Sequence, residues 1–251
     1  MTFVELYAGL AAVTLRLFGA EPPVSRIGAK TGYAGAIVDA LGLRSLVPGD
    51  RVVLVESDPA VAAVLRALLD SRGRDAAATY VERCAPLDPR SAWEAARAGS
   101  SPGEWLLWAA GARGGVGGFK GRHRLRPSVD GFIPSRYSLA ERLRSFPTPP
   151  CHVEVVCGFA QDLAPIPGSV VYLDPPYAGR QGYQGPKPAV EVHPAVLAER
   201  WAAAGCRVGL SESRPVQLPS ARHLDLSASR RGQRRRSMTR DTREWLTVIG
   251  G

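Results

Sequence analysis

The chain has 251 residues, 45% hydrophobic and 22% charged, enough for one α/β domain with a sizeable insertion or for two small domains. Lys and Arg number 32 against 23 Asp and Glu, a net charge of +9; the surplus suits a polyanionic partner, although an Arg- and Ala-rich genome would also produce it. No apolar run approaches 18 residues, Met1 to Glu5 lacks a basic leader, and Cys84, Cys151, Cys157 and Cys206 form no C-x-x-C pair, so the composition argues against a membrane span, a secretion signal, a disulfide framework and a zinc site, and for a cytoplasmic, metal-free protein with reduced, mostly buried thiols.

Thr2 to Leu6 reads as a short apolar strand carrying one acid, Glu5, closed by Tyr7-Ala8-Gly9. A helix is predicted from Leu10 to Phe18, stopped by Gly19 with Pro22 and Pro23 beyond. Residues 21–33 are irregular, and Tyr33 to Leu41 reads as a helix ending at Gly42. Arg51 to Val55 is a second buried strand ending at Glu56. Asp58 then caps, and Pro59 opens, an Ala- and Leu-rich helix. Strand, helix, strand, helix at this spacing predicts parallel βαβ units.

The pattern changes beyond that helix. Residues 72–105 are helix-like, Trp105 to Ala109 is read as a strand, and residues 110–136 are rich in Gly and Arg. Tyr137 to Leu143 is read as a helix before Pro147, Pro149 and Pro150. Buried strands resume at Val153 to Cys157 and Val170 to Leu173, then a helix from Val196 to Ala204, a strand from Arg207 to Leu210 and a last strand from Trp245 to Ile249. Residues 72–150 therefore read as an insertion into a catalytic α/β domain made of 1–71 and 151–251.

The segment Val170-Val-Tyr-Leu-Asp-Pro-Pro-Tyr177 carries the most chemistry. Neither Pro175 nor Pro176 can donate to a sheet ladder, so the strand must stop at Asp174. Its carboxylate then lies at a strand's carboxyl end, where open α/β sheets bind ligands. A carbonyl, a carboxylate and the Tyr177 ring converge there, which suits a flat molecule bearing an amino group. Three other strand ends offer cofactor contacts. Ala8 and Gly9 give a tight turn for close backbone approach, Glu56 is placed to accept from ribose hydroxyls, and Asp162 could accept the amino group of an adenine. Tyr7, Ser57 and Leu163 flank these positions. Together with Asp174 they describe an adenosine site beside a base pocket.

These motifs resemble, in order, those of the Dam-like DNA adenine-N6 methyltransferases. Phe3 to Val13 looks like motif I, Phe119 to Arg122 and Gly131 to Pro134 are similar to stretches of the target-recognition region, and Val170 to Tyr177 matches motif IV. Leu210 to Ser213 and Glu244 to Ile249 look like the later strand ends. The resemblance implies a Rossmann-like sheet with an inserted target-recognition region, and S-adenosylmethionine as cofactor. It also implies transfer of a methyl group to N6 of an adenine flipped out of double-stranded DNA at a short specific sequence. Asp174 and the Pro175 carbonyl would hold the amine while Tyr177 stacks on the base, with Pro176 stiffening the turn.

The chain departs from that family twice. Leu10, Ala11 and Ala12 stand where glycines are usual, and a negative φ is expected at those positions. The family's Gly-Gly-Lys segment precedes motif I, whereas here Arg26-Ile-Gly-Ala-Lys30 follows it, with Lys30 a candidate for the methionine carboxylate.

Two arginine clusters are the candidate DNA contacts: Arg113, Lys120, Arg122, Arg124 and Arg126, and Arg230, Arg231, Arg234, Arg235, Arg236 with Arg240. A monomer or weak dimer of bacterial or phage origin is expected. RNA guanine-N2 and cytosine-N4 enzymes also carry Asp-Pro-Pro-Tyr. A catalytically silent nucleic-acid-binding module of the same fold is the alternative from another class.

Overall fold

The structure, a computed structural model, describes residues 1–24, 30–112, 138–177, 186–227 and 243–250. Their strands form one seven-stranded mixed sheet: β1 (Thr2–Leu6), β2 (Arg51–Glu56), β3 (His152–Cys157), β4 (Val170–Leu173), β5 (Arg207–Glu212), β6 (Arg222–Asp225) and β7 (Trp245–Ile249). The spatial order is β3-β2-β1-β4-β5-β7-β6. β1 to β5 run parallel, and β7 is antiparallel to both β5 and β6. The order 3-2-1-4-5 is that of doubly wound folds, so the topological switch point lies between β1 and β4.

The strands are apolar along both faces, as expected of a parallel sheet covered on both sides. Phe3, Val52, Leu54 and Tyr172 face a layer with α1 (Ala12–Leu17) and α2 (Ala34–Ala40), through Val13, Leu17 and Ile37. Val4, Leu6, Val53, Val171 and Val208 face Leu197, Ala198 and Trp201 of α8 (Pro194–Ala203). The alternation on β1 turns Glu5 towards α1.

The helix α3 (Pro59–Leu69) starts as its sequence predicts, with Pro59 in the first turn and the Asp58 carboxylate accepting the Ala60 N–H at 2.9 Å. α3 then joins a helical core built with α4 (Ser71–Cys84), α5 (Pro89–Ala98), α6 (Pro102–Gly111) and α7, whose described part is residues 138–144. The inserted helices thus share a core with α3 and with Leu10 and Leu15 of the first βα unit.

Trp105 to Ala109 is helical, not a strand. A short apolar run buried all round has no periodicity to separate strand from helix. The overlooked signal is Ser101-Pro-Gly-Glu104, a capping box in which Ser101 and Glu104 bond each other's backbone. Within α6, Trp108 is fully buried and its carbonyl accepts from the Trp93 indole N–H at 2.9 Å. Trp108→Ala is expected to cost about 3–5 kcal/mol, read as a lower denaturant midpoint, because the surrounding helices cannot collapse onto the cavity.

Candidate functional site

The candidate site assembles at the carboxyl edge of β1, β2 and β4. The chain leaves β1 through Tyr7, Gly9 and Ala11, all in the left-handed region with φ of 58°, 56° and 51°. The negative φ expected where alanine replaces glycine is therefore not found at Ala11. That residue is buried and caps α1 from a conformation costing an L-residue roughly 1–2 kcal/mol. Alternating left-handed residues tighten the turn until the Ala8 N–H reaches the Val55 carbonyl, at 2.9 Å.

Glu56 anchors this turn. It is 2% exposed, and its two carboxylate oxygens accept the Gly9 N–H and the Asp58 N–H, each at 2.8 Å. A carboxylate offers about four acceptor positions, so this use is compatible with accepting ribose hydroxyls as well. The Glu56 carbonyl accepts from Gly158 at 3.0 Å, tying β2 to the segment that carries Asp162. Asp162 closes a 3₁₀ turn (Ala160–Asp162) and is exposed at this same edge, with Leu163 half-buried behind it. Next to it, Gln161 uses both ends of its amide on the returning chain, donating to the Val190 carbonyl and accepting the Val192 N–H. Burial, with Glu191 adding, pushes the Tyr7 phenol up to about 12, so Tyr7 is a neutral hydroxyl here.

β4 stops at Leu173 as the prolines dictate, and Asp174 still donates its N–H to the Leu6 carbonyl at 3.3 Å. That bond fixes Asp174 beside the β1 turn. Pro175 is buried and Pro176 exposed. Around Asp174 and the two tyrosines of its own segment the structure gathers three residues from elsewhere in the chain, Lys30, Glu244 and Ser211. Lys30 Nζ lies 2.7 Å from Asp174 Oδ1, 3.7 Å from Glu244 Oε1 and 4.7 Å above the centre of the Tyr177 ring. The Tyr177 hydroxyl donates to Glu244. Beneath them, the Tyr172 and Ser211 hydroxyls are 2.8 Å apart.

Lys30 lies on the chain after the turn at 7–9, yet it arrives at the Asp174 carboxylate beyond β4. Burial alone would depress its pKa, but the Asp174 and Glu244 carboxylates outweigh burial and hold the ammonium above its ordinary range. Glu244 is shifted upward as well, for a different reason: burial raises its carboxyl, Lys30 opposes that, and Asp174 adds to it. Tyr177 and Tyr172 are both driven upward by burial first and then by Asp174 and Glu244, so both hydroxyls stay protonated.

Glu5 is the second unforeseen acid. It is buried, and one of its oxygens accepts from both the N–H and the hydroxyl of Thr14 in α1. Burial pushes its carboxyl up to about 7, with the Thr14 bonds pulling back and Asp174 adding. An acid whose folded pKa exceeds the ordinary 4.5 binds more protons folded than unfolded between those values. Stability therefore falls as pH rises from about 4.5 to 7. Glu5→Gln keeps an acceptor for Thr14 and removes the charge, and should flatten the stability–pH curve over that window. Denaturation at pH 8 is expected to show the variant more stable by on the order of 3 kcal/mol.

No protein-family model and no curated protein matches the chain.

The structure brings Tyr7, Ala8, Gly9, Glu56, Ser57, Asp162, Asp174 and Tyr177 to one sheet edge, and Lys30 to Asp174. The basic residues Arg113, Lys120, Arg122, Arg124 and Arg126, and Arg230, Arg231, Arg234, Arg235, Arg236 and Arg240, lie outside the described residues. So do the stretches Phe119 to Arg122 and Gly131 to Pro134. Among the described residues no helix is long and apolar enough to cross a membrane, and no group of three or more His, Cys, Asp and Glu could hold a metal. None of the four cysteines forms a disulfide among the described residues; Cys84 and Cys206 are buried as expected, whereas Cys151 is half-buried and Cys157 exposed at the end of β3.

Proposed function

We propose that this protein transfers a methyl group from S-adenosylmethionine to N6 of an adenine flipped from double-stranded DNA, with the inserted helices and the two arginine clusters serving target recognition. The observation that carries this reading is the seat formed by Asp174, Pro175 and Tyr177 next to the left-handed turn anchored by Glu56, at the switch point of the sheet.

The residues present suit a sulfonium nucleoside. The left-handed turn permits close backbone approach, and Glu56 is buried at the end of the second strand, where an acid accepts ribose hydroxyls in dinucleotide folds. Asp174 and Glu244 set two carboxyls against the single Lys30 ammonium, an environment that favours a bound cation. S-adenosylmethionine bound there supplies the electrophilic methyl group.

The rest of the chemistry belongs to the chain. The exocyclic amine of adenine is a poor nucleophile because its lone pair is delocalised into the ring. The Asp174 carboxylate and the Pro175 carbonyl accept its N–H groups and favour a tetrahedral nitrogen. Tyr177 stacks on the base and fixes its plane. Positioning and charge placement do this work, so no nucleophilic side chain is needed.

The test is direct. Incubation of the protein with unmethylated genomic DNA and S-adenosylmethionine, followed by digestion to nucleosides, should yield N6-methyladenine, and sequencing should place it in a short motif. N4-methylcytosine as the product, methylation confined to RNA, or absence of S-adenosylmethionine binding by calorimetry would refute the reading. If DNA is the partner, log affinity should fall steeply and linearly with log salt.

A further inference from the structure

We propose that Lys30 and Glu244 are a charge-compensating pair of positioning residues: Lys30 keeps the Asp174 carboxylate an acceptor, and Glu244 holds both the Lys30 ammonium and the Tyr177 ring in place. This rests on the reading that Asp174 and Tyr177 hold the substrate amine and its ring.

Lys30, Glu244 and Tyr177 close a ring of three contacts, and a fourth ties Asp174 to it through Lys30. Lys30 reaches Asp174 at 2.7 Å and Glu244 at 3.7 Å, lies 4.7 Å over the Tyr177 ring, and Tyr177 donates back to Glu244. The two motif IV side chains are thereby tied to each other through two residues outside the motif. Asp174 fixes the direction of hydrogen bonding and Tyr177 the plane of the ring, and neither can shift without moving Lys30 or Glu244. Both outside residues are buried, at 5% and 6% exposed, so their charges act on the site with little screening.

The charges facing this pair come from every element packed there. Tyr172 faces it from β4, Asp174 and Tyr177 from the turn beyond β4, and Tyr33 from the residue preceding α2; Ser211 of β5 supplies a hydroxyl, and Glu5 of β1 acts on Asp174 and Tyr172 rather than on the pair itself. Counting the pair, the cluster holds three carboxyls, Glu5, Asp174 and Glu244, and one ammonium, Lys30. An Asp174 that took up a proton would present an O–H donor to an amine that needs an acceptor. Lys30 opposes that uptake and Glu244 favours it, so the two residues push the same carboxyl in opposite directions.

That opposition gives a signature that a merely structural role lacks. Lys30→Met should move the acid limb of DNA methylation upward by about one to three pH units, with activity recovering in alkaline buffer. Glu244→Gln keeps an acceptor for the Tyr177 hydroxyl and should move the limb downward. The double variant should fall between them, and Lys30→Arg, which keeps the charge, should hold the wild-type limb.

The experiment pairs rates on unmethylated genomic DNA across pH 5–10 with carbon-13 NMR titration of the Asp174 and Glu244 carboxyls in the same variants. Thermal melting of each variant checks that it is folded. Opposite shifts that cancel in the double variant, seen in both readouts, are the expected result. A carboxyl titration of Asp174 unmoved by Lys30→Met overturns the charge role. Titrations that move while the activity limb stays fixed overturn the positioning role. A wild type that methylates no DNA removes the functional reading, and the titrations still decide the charge coupling.

Discussion

Asp174→Ala is expected to lower methyl transfer by about 10³-fold while changing S-adenosylmethionine affinity by less than about threefold. The carboxylate sits at the end of β4, pinned by its own N–H to Leu6 and by Lys30 at 2.7 Å. Its role in the proposed reaction is made only when the amine is present, so its removal should fall on the rate rather than on the cofactor. Asp174→Asn separates charge from shape: it keeps one carbonyl oxygen but turns an –NH₂ towards an amine and leaves Lys30 without its nearest anion. Asn should therefore rescue little. Single-turnover rates on DNA and calorimetric titration of the cofactor measure both sides. Loss of cofactor binding in Asp174→Ala would reassign the residue to the cofactor.

Glu56→Ala should have the complementary profile, with the largest effect on cofactor binding. Two backbone N–H groups, of Gly9 and Asp58, lose their acceptor at a buried position. Each orphaned donor costs about 1–3 kcal/mol, so the variant should lose about 2–6 kcal/mol of stability. Charge-assisted bonds to ribose hydroxyls would vanish as well, weakening S-adenosylmethionine by about 30-fold or more. Calorimetry and denaturant titration read the two effects separately. An unchanged cofactor affinity would restrict Glu56 to holding the turn.

The sheet was legible because its strands are apolar runs ended by an acid or a glycine, and helix starts such as Asp58-Pro59 carry their own cap. β6 was not, because Arg222-His-Leu-Asp225 is a short, largely polar strand at the sheet's edge with no apolar run to announce it. α6 was misread because uniform burial of Trp105 to Ala109 erases periodicity. The site was legible where one local stretch carries it: Asp174 to Tyr177, the turn at 7–9, and Glu56. Lys30 was singled out, but for the methionine carboxylate and not for Asp174; that meeting, and the parts played by Glu244, Glu5 and Thr14, escaped because they are tertiary. Glu5 looked like an isolated acid on a strand, and only the pairing of β1 between β2 and β4 shows it buried under Asp174. Ala11 in the left-handed region contradicts its own intrinsic preference, a local cost of the kind that surrounding structure imposes at functional sites.

The reversal of β7 has a consequence for how the molecule comes together. Because β7 runs against β5, it is the start of β7, not its end, that meets the carboxyl edge, and this delivers Glu244 to residues 67 positions earlier at Tyr177. Lys30 and Glu5 are still more distant along the chain. The pocket therefore cannot exist in any partly folded species that lacks the final hairpin of β6 and β7, however complete β1 to β4 are. Amide protons of Trp245 to Ile249 should exchange only as fast as the cluster around Asp174 opens, and a transient fraying of that hairpin would take apart the edge proposed for methyl transfer while leaving the turn at 7–11 intact.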